Sequence, residues 1–429
     1  MKTLFSLAVF FFFSVSLLAQ DTLRIMHYNL LYYGVVTGWC NNSNNDPDDK
    51  NVHLRAILNE VKPDIFTVNE IAASEAVQNE LMQNTLNVGG VNHYRKAMLR
   101  NQAGSDIVNM LYYDSRKLRL KKQYTAQNYL RDIDVYELYY YSNDLPMGDT
   151  AFVVCVVAHL KAGSSGSDAD KRKVMAENSM RWLAPRFASE NVLFMGDFNL
   201  YSGSEPAFQT MTSYNNPEIS FIDPIGQGGE WNNNSFYAGI HTQSTNSSND
   251  ADGCKAGGGM DDRFDFILIS DEVRFGTKKV RYVQNSYKAF GQDGQHFNGS
   301  IGSGNNGVVS AQVAQALQQM SDHLPVILDV SVDKTLDVNE FSPQTFMAVI
   351  QPNPVANKLK LSYYVSGSAR MQLRLMDIYG KVLNTFALQS QPGRNTFETD
   401  IQALRTGIYI LQLVDDKGNK EVLRLIKSN

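Results

Sequence analysis

The sequence predicts two mixed β-sheets flanked by α-helices, followed by a small all-β sandwich. In the long middle region, strand-like runs alternate with helical periods and outnumber them, which favours mixed sheets over a doubly wound parallel sheet. Near the C-terminus, short strands recur with turns roughly every 8–12 residues. A chain of 429 residues also exceeds what a single core organises, so two or three domains are expected. At 43% hydrophobic and 19% charged, the composition is that of an ordinary soluble globular protein. It excludes a disordered, collagen-like or disulfide-stapled chain.

Residues 1–20 read as a secretory signal. Lys2 supplies the positive start, Leu4 to Leu18 form an apolar run relieved only by small residues and Ser, and Ala19-Gln20 precede a polar sequence. The run is short of a membrane anchor and no stop-transfer pattern follows it. No later segment is apolar enough to span a membrane.

The middle region, 21–333, opens on a strand at Leu23-Arg24-Ile25-Met26. Further strands are expected at Asp64 to Val68, Ile107 to Tyr113, Val135 to Tyr141, Phe152 to Leu160, Val192 to Met195, Phe264 to Ile269 and Val326 to Val330. Leu54, Ile57, Leu58 and Val61 fall at i, i+3, i+4 and i+7, the period of a helix with one buried face. Val313, Ala316, Leu317 and Met320 repeat the pattern. Two long Gly/Asn/Ser-rich stretches, Gly226 to Gly259 and Gly291 to Gly307, read as loops; loops this long are usually functional or disordered. A linker is expected over 334–347, and the β-sandwich over 348–429.

Net charge over the whole chain is −5, which argues against coating nucleic acid or anionic membrane through bulk charge. The regions differ, however. Gln20 to Met347 holds 27 basic and 38 acidic residues, and Ala348 to Asn429 holds 11 basic and 6 acidic. An acidic body therefore precedes a basic tail.

Five motifs in the middle region place polar residues where predicted strands run out into loops, the position from which a rigid scaffold best presents reactive groups. They are Met26-His27-Tyr28-Asn29, Pro63 to Glu70, Ala158-His159-Leu160-Lys161, Gly196-Asp197-Phe198-Asn199 and Ser321-Asp322-His323-Leu324-Pro325. A sixth, Arg263-Phe264-Asp265-Phe266-Ile267, sets an Asp just inside a strand. Any one of these is weak evidence, since a strand-end carboxylate is more often a turn former and a lone His more often structural. Together they offer the oxygen ligands Asn29, Glu70, Asp322 and Asp197, two imidazoles, and a carboxylate able to orient one of them. Oxygen ligation suits a hard cation, Mg²⁺ or Mn²⁺, which keeps waters and shares its shell with phosphate. No His/Cys cluster has zinc spacing.

In order and spacing these motifs resemble the endonuclease/exonuclease/phosphatase superfamily, the group of DNase I, inositol-phosphate phosphatases and bacterial sphingomyelinases, over roughly Leu23 to Val332. The resemblance implies a four-layer α/β sandwich (DNase I-like) and metal-dependent hydrolysis of phosphate esters. It implies Asn29 and Glu70 at the metal with Asp322 beside it, and His323 as general base oriented by Asp265. Asp197 and Asn199 would position water and phosphoryl oxygens, and His159 would contact the scissile phosphate. Whether His323 or Asp197 takes the proton is left open at this point. Arg131 resembles a phosphate-contacting Arg of nuclease members; Lys161 is a second candidate for substrate binding. Asn69 departs from the Gln common before the metal-binding Glu, and on the opposite strand face it should not affect ligation.

The tail motifs Pro352-Asn353-Pro354, Asp377-Ile378-Tyr379-Gly380-Lys381-Val382 and Gly407-Ile408-Tyr409 resemble the C-terminal sorting domain of Bacteroidetes type IX secretion, an Ig-like sandwich. That resemblance implies export to the surface or medium, with the type IX machinery as partner. The leading functional reading is an exported nuclease acting on a phosphodiester, as a monomer. Alternatives are a secreted phosphatase or sphingomyelinase-like lipid phosphodiesterase, and a non-catalytic surface binding protein.

A nucleic-acid path would draw on Arg55, Arg100, Arg131, Lys161, Lys171 and Arg172. An exposed aromatic hairpin would favour a lipid substrate, but Tyr139-Tyr140-Tyr141 reads as strand. His241 lies in the long polar loop and reads as structural or substrate-reaching, while His27, His53, His93 and His296 read as surface or packing residues. Of three Cys, Cys155 falls in an apolar strand and reads as a buried thiol. Cys40 and Cys254 lie in polar loops, and an exported location is oxidising. A bridge between them is therefore a hypothesis that a Cα separation beyond about 7 Å would exclude.

Overall fold

The computed structural model describes residues 20–141, 150–216, 219–226, 228–249, 252–333, 346–350, 355–365, 368–391, 393–416 and 418–428. The signal reading, save for Gln20, therefore lies outside the described residues, as do Pro352-Asn353-Pro354 and the linker up to 345. The chain divides after residue 336 into two compact units.

In the first unit the strands are β1 (Gln20–Tyr33), β2 (Ile65–Ala72), β3 (Tyr94–Lys96), β4 (Ile107–Asp114), β5 (Leu118–Gln127), β6 (Ile133–Tyr140) and β7 (Phe152–His159). They continue as β8 (Val192–Asp197), β9 (Phe221–Ile222), β10 (Asp265–Ser270), β11 (Val280–Tyr282), β12 (Lys288–Ala289) and β13 (Val326–Asp333). The helices are α1 (Pro47–Val61), α2 (Glu75–Leu81), α3 (Gly166–Phe187), α4 (Pro206–Thr212), α5 (Asp271–Phe275) and α6 (Ala311–Met320).

Two mixed sheets result. One runs β11-β13-β1-β2-β4-β3 with β12 beside β13, and the other β5-β6-β7-β8-β10-β9. Each has one parallel pair at its centre, β1 with β2 and β7 with β8, and antiparallel neighbours around it. The four layers follow from burial. Leu54, Ile57, Leu58 and Val61 of α1 and Val313, Ala316, Leu317 and Met320 of α6 join a core with the first sheet, which continues into Cys155, Val157, Met195 and Ile267 of the second. A second core lies beyond that sheet, where Val156, Phe194 and Phe266 meet Met175, Met180 and Leu183 of α3 and Phe208 of α4. Strands β8 and β10 are therefore buried on both faces, which explains their near-continuous apolar sequences.

Local signals fix the helix ends. Asp46 caps α1 by accepting from the Asp48 amide, with Pro47 at the first helical position. Ser310 accepts from the Val313 amide to start α6. The 22-residue helix α3 was not expected, because its buried face is diluted by Ala176, Ser179 and Arg172.

This arrangement brings the C-terminal ends of β1, β2, β7 and β8 to one edge, where β10 and β13 begin. The register pairs Asn29 with Asn69, and Asp197 with both His159 and Asp265. The first sheet breaks step at that edge, between Asn29 and Tyr33 on β1 and between Val68 and Ile71 on β2. Such bulges re-aim side chains at the ends of strands.

The second unit has a three-stranded sheet of β14 (Phe346–Ile350), β15 (Lys358–Val365) and β18 (Gly393–Asp400). A four-stranded sheet joins β16 (Ala369–Met376), β17 (Val382–Ser390), β19 (Gly407–Asp415) and β20 (Lys420–Lys427). The described strands pair antiparallel within each sheet, and Leu359, Leu361, Leu373, Leu411, Leu413 and Leu425 lie in the core. Strand β14 begins at Phe346, inside the stretch expected to be linker.

Candidate active site

Six motif residues converge on the shared strand edge. His323 Nδ1 lies 2.7 Å from Asp265 Oδ2, and His323 Nε2 faces Asp197 Oδ2 at 3.7 Å. His159 Nε2 stands 3.6 Å from both Glu70 Oε1 and Asp197 Oδ2. Asn29 donates Nδ2 to Glu70 Oε1 at 3.1 Å and to Asp197 Oδ2 at 2.9 Å. Asp322, next to the histidine in sequence, raises the Glu70 carboxyl by its charge, after burial.

Backbone chemistry explains why these residue types stand here. Glu70 and Asn199 adopt φ of 58° and 50°, left-handed values that cost a non-glycine residue about 1–2 kcal/mol and gather at functional sites. Gly196 has no substitute: a Cβ there would meet the Ala158 carbonyl oxygen at 1.9 Å, so its strand could not pair so closely with β7. Ser321 donates to the Asn29 carbonyl at 2.7 Å and accepts from the His323 amide at 3.2 Å. The serine of Ser-Asp-His thus ties His323 to β1. The Asp197 carboxylate accepts from the Asn199 amide at 3.0 Å.

Burial and charge set the protonation states. Burial pushes the Asp197 carboxyl up to about 7, with Asp265 and Glu70 adding to it and His323 opposing. Burial disfavours the His323 imidazolium, but Asp265 and Asp197 outweigh it and hold the ring well above the ordinary histidine range. His159 lies well below that range because it is buried and then because Arg131 is near. Nε2 of both imidazoles faces the same Asp197 Oδ2.

The donor set fits a divalent cation. One oxygen each of Glu70 and Asp197 and one nitrogen of His159 all lie within 4.8 Å of one another. Asp322 Oδ1 is buried with no hydrogen-bond partner among the described residues, a costly state that a cation would relieve. Grouping by geometry thus adds His159 to the candidate ligands, while Asp322 Oδ2 is occupied by the Ala256 amide at 3.0 Å.

Other expected residues divide. Arg131 reaches the site: it donates to the Leu160 carbonyl at 3.0 Å, and its charge acts on Glu70 and His159. Lys161 borders it but pairs with Asp168 at 3.2 Å. The proposed basic track does not form a single face. Arg172 is buried, paired with Glu205 at 2.8 Å and donating to the Lys161 and Gly163 carbonyls; it holds the loop after β7. Arg55 and Arg100 donate to backbone carbonyls of Asn84 and Gln123, and Lys171 pairs with Asp168.

Of the two readings of His241, the structure shows the structural one: it is fully buried, its ring between the Trp231 and Met260 carbonyls at 2.8 and 3.2 Å. Asn69 does bear on the site, because its Oδ1 accepts the Asp197 amide at 2.9 Å and its Nδ2 donates to Asn109 Oδ1 at 2.7 Å. This side chain is one of the links between the two sheets.

Sequence reasoning missed Gln243. Its Nε2 lies 2.7 Å from His323 Nε2 and 3.4 Å from Asp322 Oδ2. The surrounding segment is stitched in place by Thr242, whose hydroxyl accepts the Phe264 and Asp265 amides, and by the Thr245 amide on the Asp322 carbonyl. The polar loop carries it, so no periodicity could have flagged it. That loop is also covalently anchored: Cys40 and Cys254 are bonded with Cα atoms 4.6 Å apart, and Cys155 is a buried free thiol.

Comparison with known proteins gives the same reading. Residues 349–428 match the Secretion system C-terminal sorting domain, which marks the chain for export to the cell surface or medium. Among the described residues no helix is long and apolar enough to cross a membrane. No curated protein matches the chain. Similar solved structures include an endonuclease/exonuclease/phosphatase from Beutenbergia cavernae (15% identity, covering 94% of this chain and 100% of that one, TM-score 0.41). Another, from Bacteroides vulgatus, is 14% identical, with coverage of 73% and 99% and TM-score 0.45. A mannosyl-6-phosphatase from Bacteroides thetaiotaomicron is 11% identical, with coverage of 72% and 99% and TM-score 0.42. Residues 26–323, more than half of the chain, match the Endonuclease/Exonuclease/phosphatase family; the chain belongs to that family and is a metal-dependent phosphoric ester hydrolase.

Proposed function

We propose that the protein is an exported Mg²⁺-dependent phosphodiesterase whose substrate is nucleic acid. The observation that carries the hydrolytic reading is the His323–Asp265 pair set against the Glu70, His159 and Asp197 cluster. Phosphoester hydrolysis needs a water deprotonated in line with the phosphorus and relief of charge on the phosphoryl oxygens. Asp265 accepts from Nδ1 and so leaves Nε2 as the atom that takes the proton of the attacking water; Asp197, 3.7 Å away, orients that water. We assign the base to His323, because Asp265 fixes its ring at Nδ1 with Nε2 directed toward Asp197.

Asn29 and Glu70, with Asp322 beside them, would hold the cation. When bound, it supplies neutralisation of charge on a phosphoryl oxygen. His159, Asn199 and Arg131 bind the remaining oxygens, with His159 as a neutral donor. Support for a polymeric substrate comes from an open depression lined by Gln127, Asn128, Tyr129, Arg181, Trp182 and Arg186, a surface with the aromatic and basic side chains on which a nucleic-acid strand can lie. The test is one panel of plasmid DNA, RNA, sphingomyelin and a generic phosphomonoester, each with Mg²⁺ and with EDTA. Cleavage of DNA or RNA in Mg²⁺ alone is expected. Turnover that survives EDTA refutes the metal mechanism, and turnover confined to sphingomyelin or the monoester refutes the nuclease reading.

A further inference from the structure

Just past Asn29 the chain holds strained backbone that the roles above do not use. Leu31 and Tyr32 stand side by side at φ of 47° and 46°, in the region that costs non-glycine residues about 1–2 kcal/mol each. Such a conformation persists only where its surroundings over-determine it, and here they do. The buried Lys50 donates Nζ to the Leu30 carbonyl at 2.7 Å, the Leu31 carbonyl at 2.9 Å and Asn45 Oδ1 at 2.6 Å. Three acceptors use all three hydrogens of an ammonium. Asn45 in turn donates Nδ2 to the Leu31 and Tyr32 carbonyls at 3.0 and 3.1 Å. From the other side, the Leu31 amide donates to Asn29 Oδ1 at 2.9 Å and the Tyr32 amide to Glu70 Oε2 at 3.1 Å.

What this turn presents is the Tyr32 ring. The side chain is half-buried, and its hydroxyl makes no hydrogen bond to the described residues, although the backbone on either side is fully paired. It stands within the field of the site: after desolvation, Glu70 and Asp322 raise its phenol and Arg131 lowers it. A phenol on a rigid turn whose amides are bonded to Asn29 and Glu70 adjoins the residues where an anionic oxygen would be held. Lys50 cannot take that role, because its three hydrogens are spent on the turn.

We propose that Tyr32 is a substrate-contacting residue, its phenol donating to a phosphoryl oxygen of the ester, with Lys50 and Asn45 as the residues that position it. The proposal rests on the phosphoesterase reading but not on which ester is cleaved. It makes Tyr32 a determinant of phosphate binding in a segment where the motif itself ends at Asn29.

The test uses the full chain in saturating Mg²⁺ and whichever substrate of the panel above the wild type turns over. Tyr32→Phe keeps the ring and removes the donor. It should lower kcat/KM by about 10- to 100-fold, the range for a hydrogen bond to a charged group. It should also raise the Ki of inorganic phosphate as competitive inhibitor by a comparable factor, at unchanged Tm. Lys50→Met should give the same loss, and the double variant should lose no more than Lys50→Met alone, since both act through one contact. A Tyr32→Phe enzyme within two-fold of wild type in kcat/KM and in phosphate Ki overturns the proposal, whether or not Lys50→Met folds. A wild type that is inactive on every ester overturns instead the phosphoesterase reading on which it rests.

Discussion

His323 Nδ1 and Asp265 Oδ2 lie 2.7 Å apart, yet the two residues enter the site from different sheets. Asp265 opens β10 of the second sheet, and His323 precedes β13 of the first. The hydrogen bond therefore closes the seam between the sheets as well as orienting the ring. Removing the carboxylate leaves the imidazole free to choose the wrong tautomer, and removing the imidazole leaves nothing to take the proton. Asp265→Asn and His323→Ala should each lower kcat by about 10²–10⁴-fold. The double variant should fall no further than the worse single one, because the pair acts as a unit. Multiplying losses in steady-state assays would separate the two residues and remove His323 from the role of base.

The carboxylates at the strand edge hold one another in an unfavourable state. Burial and then the Asp322 charge raise Glu70, and burial with Asp265 and Glu70 raises Asp197. A cation bound only by the folded chain stabilises it by mass action, by about 2.7 kcal/mol at a hundred times its Kd. Titrating Mg²⁺ into the metal-free protein should therefore raise Tm progressively, and Glu70→Gln should abolish both the rise and the turnover. A Glu70→Gln protein that keeps the Mg²⁺-dependent shift would place the cation elsewhere.

The Cys40–Cys254 bridge spans 214 residues of sequence, and the turn it anchors contributes the Ala256 amide that holds Asp322. Chain-entropy reasoning puts the loss on opening so long a loop on the order of 5 kcal/mol as an upper value. Replacing both cysteines by Ser should lower Tm and also kcat, since Asp322 loses a fixed donor. Circular dichroism melts and initial rates, with and without dithiothreitol, test both effects; an unchanged kcat would show that the turn holds its place without the bridge.

What was legible in the sequence is what short range dictates. His159 and Asp197 end β7 and β8, Asn29 and Glu70 lie near the ends of β1 and β2, and Asn199, Asp322 and His323 flank β8 and β13, all beside apolar runs that announce the strands, and α1 and α6 keep their buried residues at helical spacing. What was not legible depends on partners far along the chain. Gln243 gains its meaning only from His323, 80 positions on, and Asn69 only from the Asp197 amide. Lys50, beside Asp48 and Asp49 at the start of α1, gains its role only from the carbonyls of Leu30 and Leu31. Arg172 looked like a substrate cation because charge suggests exposure, whereas Glu205 and two carbonyls neutralise and satisfy it within the core. Helix α3 escaped because small and polar residues share its buried face with Met175, Met180 and Leu183.

Gln243 should act on the base through a single contact. With Asp265 accepting from Nδ1, the Gln243 amide donates to the nitrogen that must take the proton. It therefore competes with the water, or turns its carbonyl to accept once the ring is protonated. Gln243→Ala should leave KM nearly unchanged and displace the pH–rate profile of kcat, because the loss falls on the proton-accepting nitrogen and not on substrate binding. A profile identical to wild type, with only KM altered, would make Gln243 a substrate contact instead.

A buried polar chain runs from the active site into the second sheet, and its far end carries a titratable group the reaction does not use. Asp197 donates its amide to Asn69, Asn69 donates to Asn109, and Asn109 donates Nδ2 to Asp134 Oδ2 at 2.9 Å. Burial pushes the Asp134 carboxyl up to about 7, against the hydrogen bonds from Asn109 and Thr125. Unfolded, an aspartate titrates near 3.9. Between these values the folded chain holds the extra proton, so the contribution is fully present below about pH 4 and is lost as pH rises through 7. Asp197 acts in the same direction, whereas His27, buried and lowered to about 4, acts in the opposite one, losing stability as pH falls below 6.5. The total profile mixes these, but Asp134→Asn isolates one group: the variant should lose less stability than wild type between pH 5 and 7.5. Urea unfolding followed by tryptophan fluorescence suits the measurement, since Trp39, Trp182 and Trp231 are the three tryptophans of the chain and all lie in the first unit. Curves for the two proteins that stay parallel across that range would show that Asp134 is ionised in the folded state, and that the chain from Asn69 ends on a charge.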